Sequence, residues 1–191
     1  MTVHLDLLRH GETELGGGLR GSLDDALTEL GWAQMREAVK DGGPWGRIVS
    51  SPLQRCAAFA RELGDALKLS VQFEKGLQEL HFGAWEGRSA AELMETDADA
   101  LGQFWADPYS FTPPQGEPVA AFSERVLASV TRLQLAHSGE RVLVVCHGGV
   151  MKLLLAQARG LPREQLLQVT VANGALFSLQ VAAGGVLSEE G

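Results

Sequence analysis

Two short apolar runs, Val3–Arg9 and Arg141–Cys146, each end directly on a histidine, and they constrain the fold more than any other feature. A run with apolar residues at successive positions reads as a strand buried on both faces, as in a parallel sheet covered by helices. Arg47–Ser50 and Val71–Phe73 read as further strands, and Leu176–Val181 as the last. Helices are expected between them. Thr28 suits an N-cap for a helix to about Lys40, which Gly42-Gly43-Pro44 would stop. Ser51 as N-cap and Pro52 at the first helical position would open a helix to about Leu67. A long helix is expected over about Pro118–His137, and another over Val150–Arg159. Residues 79–116, with helices near Ser89–Met94 and Ala98–Trp105, are interrupted by Asp107-Pro108 and Pro113-Pro114. They read as a small helical excursion over one edge of the sheet. The pattern predicts an α/β fold, a three-layer sandwich with a largely parallel sheet flanked by helices. A single domain over residues 1–191 is expected.

Charge limits the partners. A formal net charge of −8 argues against general binding to nucleic acid or to a membrane surface, both anionic. If the ligand is an anion, its positive partners must be local. Cys56 and Cys146 share no Cys-x-x-Cys spacing, so no disulfide framework is expected, in keeping with a reducing cytoplasm. Met-Thr-Val-His-Leu-Asp lacks the basic start of a signal peptide, and no stretch approaches the ~20 apolar residues of a membrane span. A cytoplasmic chain is the expectation.

In open α/β sheets ligands bind beyond the carboxyl ends of the strands. Three such ends carry chemistry here: Arg9-His10, Ser51 to Arg55, and His147-Gly148-Gly149. Arginine forks match phosphate oxygens, and a helix start adds unpaired N–H groups. Singly, each piece has an ordinary reading: Arg55 as a solvated helix residue, Gly148-Gly149 as a tight turn. Their joint placement on one edge points instead to a phosphate site.

At these residues the sequence resembles the histidine phosphatase superfamily, also called phosphoglycerate mutase-like. The matching segments are Arg9-His10-Gly11-Glu12-Thr13, Leu27-Thr28 with Gly31, and Ser50-Ser51-Pro52-Leu53 with Arg55. Glu79 followed by Leu80 to Gly87, and then His147-Gly148-Gly149, complete the order. The resemblance implies His10 as nucleophile, Arg9, Arg55 and His147 as phosphate-binding groups, and Glu79 as proton donor. Arg20 and Gly148 are further candidates for substrate contact. No metal or cofactor is implied, since the arginines and His147 supply the charge. The implied partner is a small-molecule phosphate ester, and a homodimer is left open.

One departure stands out. The family usually carries Asn three residues after Thr13, where this chain has Gly16 within Gly16-Gly17-Gly18. Glycine N–H groups or Arg20 could take its place, or the leaving-group pocket could be wider. A cysteine phosphatase is rejected because the residue six after Cys146 is Lys152 and not arginine. A phosphoglycerate mutase would carry Glu-Arg-x-Tyr-Gly where this chain has Glu79-Leu80-His81-Phe82-Gly83. Pro113-Pro114-x-Gly116-Glu117 with Phe122 and Arg125 resemble the α-ribazole phosphatase branch, which acts in cobalamin assembly. A broad-specificity small-molecule or sugar phosphatase is the alternative, and a silent phospholigand-binding module the least favoured. Trp85 and Trp105 read as packing groups, with Trp85 the candidate to wall the pocket.

Overall fold

The computed structural model describes residues 2–190. The expected strands form with the expected bounds: β1 (Val3–Arg9), β2 (Arg47–Ser50), β3 (Val71–Phe73), β4 (Arg141–Cys146) and β5 (Leu176–Val181). A sixth, β6 (Leu187–Glu189), was not expected from sequence. The order across the sheet is β3-β2-β4-β1-β5-β6. The four strands from β3 to β1 pair in parallel, whereas β5 runs antiparallel to β1 and to β6. The sheet is therefore largely parallel with an antiparallel edge.

Alternation along the strands sorts the core into two layers. Leu5 and Leu7 of β1, with Val142 and Val144 of β4, face α5 (Val119–Ala136) and α6 (Gly148–Ala158). Leu8, Leu143 and Val145 face α1 (Glu29–Val39) and α2 (Gln54–Leu67), where Met35, Phe59 and Ala60 close the layer. Each fully buried aliphatic side chain contributes roughly 1.5–3 kcal/mol. Asp6 interrupts the apolar run of β1 without an unpaired charge. Its carboxylate accepts from Trp45 Nε1 at 2.6 Å, Arg141 Nη2 at 2.7 Å and Ser178 Oγ at 2.6 Å.

Thr28 caps α1 as expected, its Oγ1 accepting the N–H of Gly31 at 3.0 Å. Ser51 and Pro52 do not open α2. The helix starts at Gln54, and its N-cap, Leu53, offers no side-chain bond. Asp24 from the preceding loop supplies the cap instead, accepting the N–H of Gln54 at 2.6 Å. Ser51 Oγ is drawn to His147, 2.7 Å away. The segment expected as an excursion carries α3 (Ala90–Thr96), opened by a Ser89–Glu92 capping box, and α4 (Ala98–Ala106). Trp85 is buried at 1% exposure and stacks on Phe111, so it belongs to the core and not to a pocket wall. Among the described residues no helix is long and apolar enough to cross a membrane.

Candidate active site

Because β4 lies between β2 and β1, the residues following their carboxyl ends meet. The His10 N–H donates to the Cys146 carbonyl at 3.1 Å, and the Ser51 N–H to the Val145 carbonyl at 2.9 Å. The rings of His10 and His147 stand edge to face, centroids 5.4 Å apart.

His10 is 5% exposed. Its Nδ1 lies 2.8 Å from the Gly11 carbonyl, which can only accept, so Nδ1 carries the proton and Nε2 keeps a free lone pair. Burial, with the positive charges of Arg55, Arg9 and Arg20, holds the pKa at about 3 against the usual 6.5. The Gly11 bond opposes this only in part. The ring is therefore neutral at physiological pH, with one nitrogen able to attack an electrophile.

Cationic groups surround it. Arg9 donates from Nη1 to the Val171 carbonyl at 2.5 Å, and its Nε is buried with no partner among the described residues. Arg20 donates to Thr13 Oγ1 and to the Gly16 carbonyl and lies 3.5 Å from Asp25. Arg55 is fully buried on α2. It donates to the carbonyls of Leu23 at 2.6 Å and Gly21 at 3.0 Å, while its Nε is likewise buried without a partner. His147 is fully buried, and burial, reinforced by Arg55, holds its pKa well below the usual value.

Glu79 follows the short 3₁₀ turn at Lys75–Leu77. Its Oε1 accepts the Leu80 N–H at 3.0 Å and its Oε2 the Gly149 N–H at 2.9 Å. Each oxygen retains a second lone pair. A Cβ on Gly149 would stand 2.2 Å from Oε1, so only glycine lets the start of α6 approach the carboxylate.

These groups border a cavity of about 840 Å³. Arg9, His10, Arg20, Glu79 and Gly148 line it, whereas Arg55 and His147 lie behind its wall. Phe82, Phe104, Trp105 and Phe122 form an apolar side. Trp105, expected to pack, is 48% exposed there. Lys152, Gln168, Thr170 and Asn173 line it as well and were not singled out from sequence. Lys152 was legible in principle, one helical turn after Gly148-Gly149. Gln168 ends the 3₁₀ turn Arg163–Gln168 and the other two follow it, outside every element read from the sequence. The Gly16 N–H is committed to the Thr13 carbonyl at 2.9 Å, so that amide does not replace the usual Asn. Arg20 lines the cavity beside it, bonded to the Gly16 carbonyl.

Residues 5–189 match the description "Histidine phosphatase superfamily (branch 1)". The chain belongs to that superfamily. Members of this family act on small phosphate esters. It is 40% identical over 161 residues to a bifunctional protein of Mycobacterium tuberculosis, covering 82% of this chain but only 44% of that one. It is 30% identical over 186 residues to the adenosylcobalamin/alpha-ribazole phosphatase of Salmonella typhimurium, covering 95% and 92%. The solved mycobacterial glucosyl-3-phosphoglycerate phosphatase superposes with a TM-score of 0.84 at 27% identity, covering 97% and 93%. Relatives with different named substrates thus share this histidine phosphatase fold.

Proposed function

We propose that this histidine phosphatase hydrolyses phosphate monoesters through a phosphohistidine at His10, with α-ribazole 5′-phosphate as its natural substrate. The observation that carries the reading is the Nδ1–H bond from His10 to the Gly11 carbonyl, which leaves a neutral, directed Nε2 at the cavity. Nε2 attacks phosphorus while the bond to the leaving oxygen breaks, and Glu79 protonates that oxygen. The imidazolium formed keeps its Nδ1–H on Gly11. Water then attacks the phosphohistidine, returns a proton to Glu79 and releases inorganic phosphate. Arg9 and Arg20 at the cavity, with the charge of Arg55 from behind its wall, compensate the charge of the transferring oxygens, while the buried His147 is neutral and can contribute only as a hydrogen-bonding group. The unpartnered Nε of Arg9 supports that role, as a donor at the cavity without an acceptor of its own.

The aromatic side of the cavity and its size suit a leaving group with a flat base on a sugar. The Salmonella relative supports the same substrate. Brief exposure to labelled α-ribazole 5′-phosphate, followed by denaturation, should leave acid-labile, base-stable phosphate on His10. His10→Ala should remove both label and turnover while staying folded, and retained turnover would overturn the nucleophile. In a panel with glucosyl-3-phosphoglycerate, phosphoserine and 3-phosphoglycerate, α-ribazole 5′-phosphate should have the highest kcat/KM. A tenfold advantage for another ester, about 1.4 kcal/mol, would overturn the substrate.

A further inference from the structure

We infer that Arg125 is a positioning residue for Glu79, a role that rests on reading Glu79 as the proton donor. Glu79 lies outside any helix or strand, between the 3₁₀ turns Lys75–Leu77 and Gly83–Trp85. No ladder of backbone bonds fixes it, yet a proton donor must reach the leaving oxygen with little positional error.

Arg125, on α5, holds that segment with its whole guanidinium. Nη1 donates to the carbonyls of Gly76 at 2.9 Å and Gln78 at 2.7 Å. Nη2 donates to the carbonyl of Glu79 itself at 2.9 Å and to Glu117 Oε2 at 2.9 Å, and Nε donates to Glu117 Oε1 at 2.7 Å. All five donors of the side chain are thus engaged. Glu117 orients the planar group from its far edge, and the Phe122 ring lies 4.9 Å from the guanidinium carbon. Gly76 lets the turn rest directly on α5, since a Cβ there would stand 1.9 Å from Ser129 Oγ. Downstream, Glu117 Oε2 also accepts the His81 N–H at 3.4 Å. Glu79 is therefore gripped at its carbonyl by Arg125 and at its carboxylate by Gly149. Arg125 does not line the cavity, so it touches no substrate there and reaches the reaction through Glu79 and, at longer range, through its charge on His147, which Arg125→Lys preserves.

A purely structural staple would lower stability and slow every substrate alike. A positioning role has a selective signature, because an alkyl leaving group needs the proton and a nitrophenolate does not. The test compares first-turnover rates on an alkyl phosphate and on p-nitrophenyl phosphate for Glu79→Gln, Arg125→Gln, Arg125→Lys, Glu117→Gln and the double variant Glu79→Gln/Arg125→Gln. Arg125→Gln should lose about 10–100-fold on the alkyl ester and no more than about threefold on the aryl ester. It should add nothing to Glu79→Gln, and Arg125→Lys should recover part of the loss. Glu117→Gln keeps the arginine, should show the same selectivity more weakly, and serves if Arg125→Gln does not fold. Equal losses on both esters in the Arg125 and Glu117 variants, or full additivity in the double variant, would overturn the inference alone. A Glu79→Gln variant equally slow on both esters would overturn the proton-donor reading and this inference with it.

Discussion

Glu79 and Gly149 are in direct contact: the Gly149 N–H donates to Oε2 at 2.9 Å, and a Cβ on Gly149 would stand 2.2 Å from Oε1. The atom in the way is the far end of a flexible side chain, so the carboxylate will yield before the helix does. Gly149→Ala should keep the fold, since alanine favours a helix over glycine by up to about 1 kcal/mol. The first turnover on alkyl phosphates should nevertheless fall by about 10–100-fold. Thermal unfolding and quenched-flow kinetics on one sample check both halves, and an unchanged rate would show that the carboxylate position is not critical.

Nitrogen-resolved NMR should find His10 protonated at Nδ1 only, with no titration of its ring between about pH 5 and 8. Burial and the arginines hold its pKa at about 3, so a titration near the usual 6.5 would contradict the geometry. Stability follows with a definite sign. An unfolded histidine takes up a proton as pH falls through about 6.5, but native His10 refuses it until about 3. In that window the unfolded state binds more protons, so stability falls as pH falls and is unaffected above it. His147, lowered by burial, adds in the same direction. His10→Asn should flatten the decline between about pH 6.5 and 4 in denaturant titrations.

Gly31 should tolerate no side chain. Its Cβ would lie 2.1 Å from the Glu12 carbonyl, and one on Gly11 would lie 2.1 Å from the Gly31 carbonyl. Backbone cannot move aside as a side chain can. Gly31→Ala should cost about 1–3 kcal/mol, a fall in Tm of roughly 2–12 °C. Activity should fall with it, because the displaced loop carries the carbonyl that orients His10. An unchanged Tm would show that the crossing is not tight.

Arg20 bonds Thr13 Oγ1 and the Gly16 carbonyl at the cavity, next to the position where the family usually carries Asn. Gly16 has φ +65 with nothing within 4 Å of a Cβ, and Asn is among the side chains that accept such a conformation. Gly16→Asn should therefore cost less than about 1 kcal/mol. Arg20→Gln should lower kcat/KM by about 10–100-fold, as expected for a lost bond to a charged group. In the Gly16→Asn background the same change should cost less. Equal losses in both backgrounds would separate the two roles.

Much of this was legible in the chain. The bounds of β1 to β5 followed from apolar runs, and the cap of α1 followed from Thr28, because burial and capping are local in sequence. The start of α2 was not, since Asp24 caps it across the fold and Ser51 turns to His147. Nor was β6, three residues long at the sheet edge with two of them exposed, too short and too polar for a period to register.

The sequence by itself determined which strands are buried and which family the chain belongs to. Periodicity encodes burial, and strand ends encode position along the chain, but neither encodes lateral order in a sheet. Tertiary structure alone decided that β4 inserts between β2 and β1, which sets His147 beside His10. It alone decided that Arg55 and His147 sit behind the cavity wall while Trp105 reaches into it. Those outcomes rest on how helices pack over the sheet, where long-range contacts outweigh any preference of the local chain.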